Sequence, residues 1–135
     1  MGDLSSRGIR IRRERLIPLA WIGWALLALF IIAGSMGTWA PYEPGIWAPT
    51  LINPKDIARN VALYVPFGVF GMVALRRSGA RGVARVTALA ILFSFANEAL
   101  QLYTVDRVAS LTDIVSAAVG TVSGATVVAL LAVPK

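Results

Sequence analysis

Long uncharged apolar runs separated by short polar breaks set the pattern of this chain. From Leu16 to about Trp39 the stretch LIPLAWIGWALLALFIIAGSMGTW contains no charged residue. A helix crosses the hydrocarbon of a bilayer with about 20 mostly apolar residues, so this run predicts a spanning helix. Runs at about 57–75, 83–103 and 108–133 predict three more. The first run exceeds the roughly 7–15 residues of a signal-peptide core and is read as a retained signal anchor. The small residues Ala33, Gly34 and Ser35 would suit a cleavage site, and Arg12-Arg13 resembles a twin-arginine signal only superficially.

The breaks carry their own signals. Between the first two runs, Pro41, Pro44, Pro49 and Pro54 forbid a continuous helix, while Trp39, Tyr42 and Trp47 have the amphipathic rings of interfacial anchors. This segment is expected to lie along the outer membrane surface. Asp56 is placed to cap the second helix, and Pro66, mid-span beside Gly68 and Gly71, is expected to kink it. The fourth run is rich in Gly, Ala, Ser and Thr, which let membrane helices approach closely. Gly120 and Gly124 read as packing residues, and this helix also permits self-association into a homo-oligomer.

Composition agrees with lipid as the solvent: 57% of the 135 residues are apolar and the mean hydropathy is +0.71. Four spans nearly exhaust the length, leaving no soluble catalytic domain. The absence of His and Cys removes disulfides, thiolate and imidazole chemistry, and the usual zinc or copper ligands; no metal and no cofactor is expected. A net charge of +6 raises the question of nucleic acid, but the charge follows the membrane instead. Five arginines (Arg7, Arg10, Arg12, Arg13, Arg15) precede the first span, four (Arg76, Arg77, Arg81, Arg85) lie between the second and third, and Lys135 ends the chain. Only Lys55, Arg59 and Arg107 fall on the other side. Positive charge stays in the cytoplasm, so both termini and the middle loop are expected inside. The reading is an all-α membrane protein, four transmembrane helices in a compact N-in/C-in bundle, with residues 1–15 a basic cytoplasmic arm and 16–135 the transmembrane domain. The inner basic clusters serve topology and anionic-lipid contact.

Ionisable residues within spans mark function, and here they gather at one level. Glu98 lies five residues before the expected outer end of helix three, about 7 Å deep at about 1.5 Å per residue. Asp113 lies similarly far into helix four, and Asn60 a little less far into helix two. Residues three or four apart share a helix face, which aligns Ser94, Glu98 and Gln101 on one helix. The same spacing aligns Asp56, Asn60 and Tyr64 on another, with Arg59 adjacent, and Ser110, Asp113 and Gly120 on the last. A carboxylate facing lipid is costly, so these stripes should converge inside the bundle, where Arg59 and Arg107 can reach Glu98, Asp113 or Asp56. Each residue also has a plainer reading. Asp113 suits a helix first turn, Arg107 an interfacial snorkelling site, and Gln101 with Ser94 a bridge between helices; Tyr64 suits core or interface.

At these residues the sequence resembles the VanZ-like family of small bacterial membrane proteins. The matching pieces are DIARNVALYVPFG (Asp56, Asn60, Pro66, Phe67, Gly68), NEALQLYTVDRVASLTD (Glu98, Gln101, Arg107, Ser110, Asp113) and Gly120 with Gly124. They span about half the chain. Ser116 departs from the asparagine common near the glycine pair. The resemblance implies a multi-pass protein of the bacterial cytoplasmic membrane, and its namesake is linked to resistance to lipid-tailed glycopeptide antibiotics such as teicoplanin. It carries over Asp56, Asn60, Glu98, Gln101, Arg107 and Asp113 as motif positions without assigning roles.

Three functions fit. The leading one is an outward-facing pocket, formed by Asp56, Arg59, Asn60, Glu98, Gln101, Arg107 and Asp113, that binds the head group of a lipid, glycolipid or lipid-tailed antibiotic. In it Arg59 and Arg107 would hold an anion. The partners are then membrane lipids or other amphiphiles, and not nucleic acid. The second is an intramembrane enzyme acting on a lipid-linked substrate, with Glu98 and Asp113 as acid and base. A variant has Asp56, Glu98 and Asp113 binding Mg²⁺ or Ca²⁺. The third is a structural or partner-binding membrane protein whose charges are internal glue.

Overall fold

The computed structural model describes residues 3–40, 47–48 and 53–132. Four helices account for most of them: α1 (Asp3–Ser35), α2 (Pro54–Ala74), α3 (Gly79–Gln101) and α4 (Leu111–Leu131). Each contains a segment long and apolar enough to cross a membrane, at Leu16–Ser35 in α1 and over the full length of the other three. Large apolar side chains such as Leu19, Leu26, Phe30, Leu92 and Leu130 are exposed on the outside of the bundle, as lipid solvent requires.

Helix ends depart from the sequence expectations for local reasons. The basic arm continues α1 as helix from Asp3, so no separate break marks Leu16. At the other end α1 stops at Ser35, whose hydroxyl back-bonds the Ile31 carbonyl oxygen at 2.8 Å. Asp56 is not the N-cap of α2. Asn53 takes that place, its side-chain oxygen accepting the Lys55 N–H at 3.1 Å, and Pro54 fills the first helical position, where a missing N–H costs nothing. The C-terminal end of α2 is a Schellman turn: Arg77 N–H donates to the Met72 carbonyl and Arg76 N–H to that of Val73. Arg76 occupies the left-handed position there, at φ 51°. Pro66 lies inside α2, which continues as one helix across it. Ser110 caps α4 by accepting the Thr112 N–H at 3.2 Å, so this helix begins three residues later than expected.

Packing between α2 and α4 is backbone to backbone. A Cβ at Gly120 would strike the Val61 carbonyl, one at Gly124 the Val65 carbonyl, and one at Gly68 the Thr121 carbonyl. The glycines of α4 are therefore spent on α2, and any self-association of α4 would use its other face. Around this seam Tyr64, Phe67, Ala90, Ala117 and Ile31 form one buried cluster, lined by Trp24 and Phe93. Met72, Val86 and Ala125 form a second toward the opposite end of the bundle. Phe67 stacks on Phe93 with ring centroids 5.5 Å apart and meets Trp24 edge-on at 5.1 Å, tying α1 to α2 and α3.

The turn between α3 and α4 is bound to the residues after α1. Val105 N–H donates to the Thr38 carbonyl and Ala40 N–H to that of Tyr103, while Trp39 and Tyr103 bring their rings to 5.9 Å. Beyond it two short strands, β1 (Trp47–Ala48) and β2 (Ala109–Ser110), pair in parallel. Most of the segment expected to lie along the membrane surface, including Pro41, Tyr42, Pro44 and Pro49, falls outside the described residues.

Candidate functional site

The α1 C-terminus, the α2 N-terminus, the α3 C-terminus and the α4 N-terminus meet at one end of the bundle, and a cavity of about 330 Å³ opens there. All seven residues singled out from the sequence line it: Asp56, Arg59, Asn60, Glu98, Gln101, Arg107 and Asp113. Because α3 ends at Gln101 and α4 begins at Leu111, Glu98 and Asp113 lie about one turn from their helix ends, shallower than expected.

Glu98 is the deepest anchor, with 2% of its surface exposed. Its Oε2 accepts the backbone N–H of Ser110 at 2.7 Å. The carboxylate of α3 thus sits at the N-terminus of α4, where unpaired amides and the helix dipole favour negative charge. Among the described residues no guanidinium comes within ion-pair distance of Glu98. The expected pairing of Glu98 with Arg59 or Arg107 is replaced by this backbone contact.

Arg59 and Arg107 are engaged elsewhere. Arg59 Nη2 lies 3.8 Å from Asp56 Oδ1 on the same face of α2, an exposed pair of the kind that contributes under about 1 kcal/mol. Asp56 Oδ2 also accepts from the Asn53 side-chain amide at 2.7 Å. Arg107 Nη2 donates to the Gly34 carbonyl at 2.7 Å, in the last turn of α1, where a cation complements the unpaired carbonyls. Asp113, half-buried in the first turn of α4, faces the Asn60 side chain. Among the described residues no group of three acidic side chains is placed to hold a cation, so the Mg²⁺ or Ca²⁺ variant gains no support.

The structure adds wall residues that sequence reasoning missed. From α1 come Phe30, Ile31, Gly34 and Ser35; the last two had the look of a cleavage site. Ser35 Oγ lies 2.7 Å from Asn97 Oδ1, the polar tie between α1 and α3. Asp106 also lines the cavity, and its Oδ1 accepts the Thr38 N–H at 2.6 Å. That hydrogen bond to the exposed Asp106 carboxylate is the first cause holding its pKa below the usual aspartate value. Asn97 shares the α3 face of Ser94 and Gln101, a spacing by which it was legible.

The chain belongs to the VanZ/LLP1 family, whose model matches residues 4–132, nearly its whole length. No curated protein and no solved structure matches it.

Proposed function

We propose that this member of the VanZ/LLP1 family binds the head group of a membrane amphiphile in the polar cavity, with the tail lying along the lipid-facing helices. The cavity would open toward the outer face of a bacterial cytoplasmic membrane, as the charge distribution favours. One observation carries the reading: Gln101, only 6% exposed, lines the cavity with a side-chain amide that has no hydrogen-bond partner among the described residues. An amide serving only as glue would bond a facing helix, whereas this one is left available to a ligand entering the cavity. Capture of lipids, glycolipids or lipid-tailed antibiotics would alter the envelope without catalysis, which suits the resistance role of the family's namesake.

A second reading has one observation in its favour. Glu98 and Asp113 line the same cavity from adjacent helices, and two carboxylates in unequal surroundings can divide acid and base roles. Binding of envelope lipids to purified protein in nanodiscs, measured beside head-group conversion by mass spectrometry, separates the two. Retention of lipid without conversion is expected. Conversion lost in Asp113→Asn while binding persists would make the protein an enzyme. Neither binding nor conversion would make the cluster structural.

A further inference from the structure

The charge pattern of the cavity narrows the ligand class, on the premise that the cavity binds a head group. Arg59 and Arg107 are the residues that would hold an anionic head group, and each already has one contact within the protein: an exposed pair with Asp56 for Arg59, and one N–H given to the Gly34 carbonyl for Arg107. Beside them a set of acceptors faces the cavity. Glu98 spends Oε2 on Ser110, and its other oxygen has no hydrogen bond among the described residues. Asp113 bonds the Asn60 side chain, itself a cavity residue, and lies within electrostatic reach of Asp56, Arg59 and Arg107. Gln101, nine-tenths buried and without a side-chain hydrogen bond among the described residues, adds an amide oxygen. Four carboxylates against two guanidinium groups leave the lining acidic.

The geometry points to an amphiphile with an ammonium head group, its N–H donors directed at Glu98, Asp113 and Gln101. A primary ammonium carries three donors and no acceptor, which complements three acceptors of this kind. Charge-assisted bonds to carboxylates shielded from bulk water are strong, and a phosphate pushed to the same depth would meet two like charges instead. Such a ligand would leave the Arg59–Asp56 and Arg107–Gly34 contacts in place.

The test uses the full chain in phosphatidylcholine nanodiscs and three lipids with one fluorescent tail: phosphatidylethanolamine, its N-acetyl derivative, and phosphatidylglycerol. The acetyl derivative keeps the phosphate and tails but turns the ammonium into a neutral amide with one N–H, which leaves it a monoanion like phosphatidylglycerol. Phosphatidylethanolamine should be retained about tenfold more tightly than the other two, the difference expected of one charge-assisted hydrogen bond. Asp113→Asn should erase that preference, and Gln101→Leu should weaken it. These two are the informative variants because, unlike Glu98, neither side chain caps a helix. Equal retention of the three lipids, a preference for phosphatidylglycerol, or a preference indifferent to Asp113→Asn would overturn the ammonium assignment and leave a head-group pocket standing. Retention of none would overturn both. Displacement by an equimolar amount of free ethanolamine would replace the amphiphile with a soluble amine.

Discussion

The Glu98 carboxylate caps a neighbouring helix: its Oε2 accepts the Ser110 backbone N–H at 2.7 Å, joining the end of α3 to the start of α4. An acid near a helix C-terminus is ordinarily misplaced, and this one is stabilised by the N-terminal dipole of a different helix. Glu98→Leu leaves the Ser110 N–H buried without a partner and should cost about 2–3 kcal/mol. Glu98→Gln keeps an acceptor oxygen and should lose less. Thermal melting in detergent gives the order wild type, Glu98→Gln, Glu98→Leu. Because no arginine among the described residues pairs directly with Glu98, Glu98→Gln and Arg107→Gln should be close to additive, within about 0.5 kcal/mol.

The seam between α2 and α4 predicts opposite outcomes for two glycines. Gly124→Ala sets a methyl against the Val65 carbonyl and must push the helices apart, costing about 1–3 kcal/mol. Gly34→Ala meets no atom within 4 Å and should be neutral or stabilising by up to about 1 kcal/mol, since alanine is the better helix former. Detergent melting of the two variants checks the pair. Equal losses would contradict the close approach.

Arg76 holds a left-handed conformation at the end of α2, φ 51°, where a side chain is disfavoured by about 1–2 kcal/mol. Arg76→Gly should raise the melting temperature. Arg76→Val, β-branched in the same position, should lower it.

The link from Asp106 to Thr38 ties the α3–α4 turn to the chain after α1, and the folded pKa of Asp106 is lowered by it. A depressed carboxylate contributes stability that is complete above its unfolded pKa and is lost as pH falls through the folded one. Asp106→Asn should therefore melt below wild type at neutral pH, and the gap should close as the medium is acidified below the ordinary value of 3.8. A gap that widened on acidification would reverse the assignment.

Much of this arrangement was legible in the sequence because membranes simplify the reading. Apolar run length predicted four spans, and three-and-four spacing placed Asn60, Glu98 and Asp113 on converging faces. What escaped was contact with backbone. The partner of Glu98 is an N–H that every residue but proline carries, and the partner of Arg107 is a carbonyl, so no side-chain pattern announces either. Attraction between opposite charges suggested ion pairs in both places. The α1 wall escaped for a related reason. Gly34 and Ser35 are small residues in an apolar run, and only the fold brings them opposite Arg107 and Asn97. Asn53 rather than Asp56 caps α2 because Pro54 has no N–H and favours the first helical position, leaving the preceding residue as the cap.

The central claim, an open polar pocket that receives a head group, is tested most directly by the reactivity of one introduced thiol. The chain has no cysteine, so Gln101→Cys carries a single reporter on the cavity wall. In intact cells it should react with an impermeant thiol reagent, whereas Ser78→Cys, between α2 and α3, should react only after permeabilisation. In nanodiscs a head-group-matched amphiphile should slow the Gln101→Cys reaction severalfold. A Gln101→Cys that reacts only once the protein is unfolded, or at a rate that no envelope lipid changes, would contradict the account.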